Sequence, residues 1–317
     1  MQYQLDNIEN ALASGDEDLF NNIPHVDLHC HSITSAPFSA FQELSSAIVY
    51  PPKKFSKFED FNLYLQRNIK PIIKDFDTIR FLLQKTFQRL IGEGIIYTEM
   101  SFDLNLPEYL DKSIEEYLEL IKEEKEKIAS KLKVVVEIGL DREKNPEKQL
   151  SLLKRALRRK IIGSIDLYGN ELSVSVKNFI DHYKLADKFG LKLKAHIGEQ
   201  GSAKNITETI KLLKLQAIQH GIRAADDAQV MEYLSKKGIV LNICPTSNIA
   251  FGLAKSRSDH PLRKLFDNNI TITIGSDDFT IFNQSVAAEY LTLFREKIFK
   301  FDELKKIIIN GLDQIPK

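Results

Sequence analysis

The chain has 317 residues, 43% of them hydrophobic and 28% charged, with 44 Lys and Arg balanced by 44 Asp and Glu. That length and composition suit a single large globular α/β domain spanning 1–317, and the balanced charge leaves no basic excess to hold a nucleic acid or an anionic membrane. No apolar stretch has the length of a membrane span, segment 1–22 lacks a hydrophobic signal core, and the isolated Cys30 and Cys244 make no disulfide framework, so a cytoplasmic protein with reduced thiols is expected.

In chain order, residues 1–22 are expected to form a helical extension. The first predicted strand is His25–His31. From Ser32 to Gly94 no strand is evident; helical spacing recurs at Phe58–Arg67 and Asp77–Gly92. Further strands are predicted at Ile95–Phe102, Leu132–Leu140, Ile161–Leu167, Leu191–Ile197, Ala217–His220, Ile239–Cys244 and Ile270–Gly275. Helical patterns with charged faces lie between them, as at Ser113–Leu132, Val174–Phe189, Ala203–Leu215 and Ala225–Lys237. The basic run Lys154–Lys160 reads as a solvated helix face. Apolar strands separated by helices imply a parallel sheet, and eight such units imply a closed (β/α)8 barrel. Segment 32–94 is then a helical insertion after the first strand, at the end of the barrel where active sites sit, and a natural lid.

Four motifs carry chemistry. In His25-Val-Asp-Leu-His-Cys-His31, His29 and His31 project to one face because strand side chains alternate, which makes them half of a metal site. Lys194-Ala-His-Ile-Gly-Glu199 supplies a third imidazole, His196, and a carboxyl that can move protons after the flexible Gly198. His220, followed by Gly221, ends another strand; alone it suits an ordinary core histidine equally well. Ile272-Thr-Ile-Gly-Ser-Asp277-Asp278 runs an apolar strand into two carboxylates, which also suit a helix start. All four motifs fall at the C-terminal ends of predicted strands, which converge on one mouth of a barrel. His29, His31, His196 and Asp277 thus make a ligand set for one divalent metal, which lowers the pKa of its water; His220 and Asp277 could orient or deprotonate that water.

With these motifs in order, and with Asp166-Leu-Tyr-Gly-Asn-Glu171 and Cys244-Pro-Thr-Ser-Asn248, the sequence resembles the adenosine deaminase family of metal-dependent amidohydrolases from about His25 to Asn310. The resemblance implies zinc as the first choice of metal and a small purine as substrate. It implies that Glu199 protonates the purine ring nitrogen beside the attacked carbon and that His220 positions the attacking oxygen. Asp278 would contact the imidazole-ring nitrogen of the purine, and the backbone N–H of Gly169 the other pyrimidine-ring nitrogen. The implied reaction is hydrolytic loss of ammonia from C6 of an aminopurine, and the absence of a lysine at the end of the fourth strand favours one metal.

The sequence departs from the family on the sugar side. After His31 the family's carboxylate is missing, with Ser32-Ile33-Thr34-Ser35 in its place, and Thr98-Glu-Met-Ser101 lacks the family's arginine. His31, Ser32 and Thr34 remain candidate substrate contacts. A nucleoside, an adenine nucleotide whose phosphate would meet these hydroxyls, and a free base are all compatible. Two rivals of other classes are a catalytically silent purine-binding barrel and a PHP-type phosphoesterase, whose further histidines this chain lacks. The spare histidines are His25, His182 and His260.

Overall fold

In the computed structural model, which describes residues 7–316, eight parallel strands follow one another in chain order: β1 His25–His31, β2 Ile95–Asp103, β3 Lys133–Asp141, β4 Ile162–Tyr168, β5 Lys192–Ile197, β6 Ala217–His220, β7 Val240–Ile243 and β8 Thr271–Ile274. Residues 1–6 of the expected extension lie outside the described residues. Each strand lies within about a residue of its predicted position. The ring is nearly closed. β4 and β5 pair through only Ser164↔Lys192 and Ile165↔Leu193. β8 meets β1 through Asp277, whose N–H donates to His29 O at 2.9 Å and whose C=O accepts from His31 N at 3.3 Å.

The helices start where their caps dictate. Ser113 and Glu116 form a reciprocal capping box, so the predicted helix at Ser113–Leu132 runs from Ile114 to Lys127 before a turn delivers the chain to β3. Asp227 accepts the N–H groups of Gln229 and Val230, which starts the next helix at Ala228, later than the predicted Ala225. Helices Ile8–Ser14 and Glu17–Phe20 pack beneath the barrel, where Phe20 stacks on Tyr290 and meets the edge of His25. In segment 32–94, helix Phe76–Gly92 packs against β2 and helix Ile114–Lys127 as the crossover between β1 and β2. The extra chain is therefore 32–75, which carries helices Phe38–Leu44 and Phe58–Tyr64; Phe58 and Phe61 of the second line the cavity at the mouth. The basic run is a solvated face, where Arg155 pairs with Glu115 and Arg159 with Glu119.

The strands are not uniformly apolar. Leu28, Met100, Ile138, Leu167, Ala195, Ile218, Leu241 and Ile272 belong to the buried hydrophobic core. Alternate positions form a buried polar network. Lys194 lies 2.5 Å from Glu137 and 3.1 Å from Glu99 and donates to Leu28 O at 3.0 Å. Ser164 and Gln219 donate to Glu137, Asn242 donates to Gln219, and Thr273 donates to Asn242. Lys194 is fully enclosed, and its two carboxylates, outweighing burial, hold it protonated. This plug underlies the mouth.

Candidate active site and metal centre

The four strand-end motifs converge. His29 Nε2 and His196 Nε2 lie 3.1 Å apart, Asp277 Oδ1 is 3.7 Å from His29 Nε2 and 3.4 Å from His31 Nε2, and His220 Nε2 is 3.8 Å from Asp277 Oδ2. Ligand atoms of His29, His196 and His220 all fall within 4.8 Å of one another. Two of these residues owe their aim to unusual backbone: His220 has φ +63° and Asp277 φ +58°. Only a few per cent of non-glycine residues adopt this left-handed region, and such conformations concentrate at functional sites.

Hydrogen bonds select the imidazole tautomers. His29 Nδ1 faces the carbonyl of Asn242 at 3.2 Å, and His196 Nδ1 faces Asp166 Oδ2 at 2.9 Å. A carbonyl and a carboxylate can only accept from these nitrogens, so each Nδ1 carries its ring's proton. The two Nε2 atoms then present bare lone pairs to each other at 3.1 Å, an arrangement that repels unless a cation lies between them. Burial first, then the His220, His196 and His31 imidazoles, against Asp277, push His29 well below the usual histidine range, which suits the neutral form that metal ligation requires. At His31 burial acts in the same direction, but Asp278 and Asp277 outweigh it and push the imidazole up to about 10. This part of the pocket calls for positive charge. Two bare imidazole nitrogens and a buried carboxylate fit a divalent ion of the zinc class.

Two further buried carboxyl groups, of Glu199 and Asp278, lie beside this cluster. Glu199 is 6% exposed, its Oε1 3.5 Å from His220 Nε2. Burial first, then Asp277 and Glu171, push its carboxyl well above the usual range, so it stands as a neutral acid. Asp278 is pushed up to about 6, mainly by burial, and accepts a hydrogen bond from Thr34. His31, Ser32, Ile33, Thr34, Gly169 and Asp278 all line the same cavity of about 210 Å³, together with Phe58, Phe61 and Leu65 from the extra chain. The Thr34 hydroxyl is therefore spent on Asp278. Lys53 lines a separate surface groove with Tyr50 and Pro52.

Several supporting residues carried no assigned role in the sequence. Glu171 accepts four consecutive backbone N–H groups, Gly198 on Oε1 at 2.9 Å and Glu199, Gln200 and Gly201 on Oε2 at 2.9–3.0 Å. It thereby fixes the loop that bears Glu199. Asp27 accepts both the N–H and the hydroxyl of Ser276, holding the turn that bears Asp277 and Asp278. Arg142, fully buried, donates to the His196 carbonyl at 2.7 Å. A glutamate in a loop, or an aspartate two residues before a candidate ligand, carries no signal of such a role until the loops are folded.

The adenosine deaminase family model matches residues 33–314. The chain is 28% identical over 318 residues to an adenosine deaminase of Clostridium acetobutylicum, covering 92% of both chains. It is 27% identical over 310 residues to an adenine deaminase of Rhizobium rhizogenes, covering 92% of this chain and 94% of the relative. Among solved structures, a zinc-bound amidohydrolase from Burkholderia ambifaria superposes with a TM-score of 0.84 at 18% identity, over 99% of this chain and 88% of the other. With a catalytic-end cluster of this kind on a (β/α)8 barrel, and with the family match spanning nearly the whole chain, the protein belongs to the adenosine deaminase family, a hydrolytic purine deaminase.

Proposed function

We propose that the protein deaminates a 6-aminopurine presented as the free base or as a nucleoside, with one divalent ion, zinc by choice, held by His29, His31, His196 and Asp277. The observation that carries the reading is the facing pair of bare Nε2 atoms on His29 and His196 beside a buried, protonated Glu199. Bound there, the ion lowers the pKa of a water so that hydroxide is available near neutral pH. Glu199 donates its proton to the ring nitrogen adjacent to C6 as attack breaks the ring's aromaticity. The charge it meets grows only on the way to the transition state, so the hydrogen bond stabilises that state more than the bound substrate. Asp277 reaches both His29 and His31 and orients the attacking oxygen. Asp278 and the Gly169 N–H hold the purine edges, and Ser32 and Thr34 stand at the wall.

The cavity favours a substrate without phosphate. Among the described residues Lys70 is the one lysine or arginine in its lining, whereas Asp103, Asp141 and Glu143 line it in addition to the acidic groups of the catalytic centre. A phosphate dianion would be repelled by this wall. Adenine, adenosine, deoxyadenosine, methylthioadenosine, AMP and ATP, each incubated with purified protein and read by mass spectrometry, test the proposal. Conversion of a base or nucleoside at more than 100-fold higher kcat/KM than AMP is expected; preference for AMP would overturn the substrate class.

A further inference from the structure

The strand-end motifs alone leave His220 able to orient or to deprotonate the attacking water, and the family resemblance implies the first; neither says what would hold the His220 ring in the state that role needs. The spare histidine, His260, supplies that. It lies in the loop after helix Pro245–Ala250, is 4% exposed, and reaches His220 through the side chain of Asn248, itself fully buried.

We infer that His260 and Asn248 are positioning residues that lock His220 in the tautomer with its proton on Nε2, making His220 a hydrogen-bond donor to the attacking oxygen and not the base. The chain of donors fixes the direction at every step. The backbone N–H of Leu262 points at His260 Nδ1 at 3.1 Å. An amide N–H can only donate, so Nδ1 is bare. Burial, with Arg257 nearby, pushes His260 down to about 4, so it is neutral and its single proton sits on Nε2. That N–H faces Asn248 Oδ1 at 3.2 Å and donates to it. The amide is thereby oriented with its NH2 toward His220 Nδ1, at 3.1 Å. An NH2 group also only donates, so His220 Nδ1 is an acceptor and the proton of the neutral ring lies on Nε2. Nε2 is the atom that faces Glu199 and Asp277 across the site. With His220 holding that proton, His220 is not the group that takes the proton of the attacking water.

The tautomer is testable without turnover; only its consequence for rate rests on the deaminase reading. Nitrogen–proton correlation NMR of zinc-loaded protein carrying isotopically labelled histidine should show Nε2–H tautomers for both His260 and His220. A His220 proton on Nδ1 would overturn the inference, and an inactive wild type showing both Nε2–H forms would instead count against the deaminase reading alone. Asn248→Asp replaces the NH2 with an acceptor and should force the His220 proton to Nδ1. We expect kcat to fall about 100-fold or more, as when one oriented donor to a developing oxyanion is removed, with KM within about threefold and metal content unchanged. His260→Gln, which keeps a donor for Asn248 Oδ1, should retain most of kcat, whereas His260→Phe should lose about tenfold. Unchanged kcat in Asn248→Asp, or a loss that tracks loss of metal, would refute the lock. If a variant does not fold, the wild-type tautomers decide.

Discussion

Removing the Glu171 carboxylate should cripple the protein although Glu171 touches none of the candidate metal ligands. Its two oxygens accept four consecutive backbone N–H groups at 2.9–3.0 Å, three of them on Oε2. A hydrogen bond to a charged group is worth about 1.5–3 kcal/mol net. Glu171 is half-buried, so water re-satisfies part of what is lost, and the value of about two such bonds remains: roughly 3–6 kcal/mol of stability in Glu171→Ala. The Glu199 N–H is among the four. Once it is released, the acid is no longer held at its place, and a displacement of about 1 Å costs on the order of 100-fold in rate. Glu171→Gln keeps one oxygen for the three-fold contact but turns an NH2 toward the Gly198 N–H, so an intermediate loss of about tenfold is expected. The assay is kcat/KM on the converted purine together with a urea midpoint, with metal content as a control. Glu171→Ala with kcat/KM within threefold of wild type would refute the reasoning.

Other perturbations follow from the same contacts. Asp166→Asn removes the carboxylate that orients His196 and should weaken metal affinity about 10- to 100-fold, read by competition with a chelator; unchanged affinity would remove Asp166 from the support of the ligand. Lys194→Met leaves Glu137 buried without its cation, while Glu99 keeps Lys192, and should cost about 3–5 kcal/mol in denaturant unfolding, a loss that breaking a surface pair would not cause. His25 is pushed from 6.5 to about 4 by burial, so the unfolded chain takes up a proton that the folded chain refuses. Its contribution, about 3 kcal/mol, is intact above pH 6.5 and is lost as pH falls toward 4. His25→Asn should flatten that acid limb, and an unchanged slope would show that His25 does not carry it.

The barrel was legible because its strands stand as short apolar runs between long amphipathic helices. What those runs concealed is their alternation. In Glu99-Met-Ser101 and in Lys192-Leu-Lys-Ala-His196 polar and apolar residues alternate, and Glu99 and Lys194 from these runs belong to the enclosed network. Glu99 and Lys194 were present in the motifs, yet without a structure each stood as an isolated charge in an apolar strand. Helix ends moved by a few residues wherever a cap such as Asp227 set the start. The convergence of His29, His31, His196, His220 and Asp277 was readable from strand ends. The left-handed backbone that aims two of them was not, since the same residue types sit in ordinary turns elsewhere. Supports such as Glu171, Asn248 and His260 are defined by partners up to dozens of residues away; Glu171 and Asn248 stand in motifs that resemble the family, but no local pattern states what they hold.

The central claim is that these imidazoles and carboxylates make a hydrolytic purine deaminase. The most direct test is turnover of adenine and adenosine in water labelled with heavy oxygen, with ammonia and product mass followed together. The account predicts one labelled oxygen in the 6-oxo product and one ammonia per turnover, abolished in Glu199→Gln while the metal stays bound. Metal-loaded wild-type protein that converts no aminopurine, or releases ammonia without incorporating label, would contradict it.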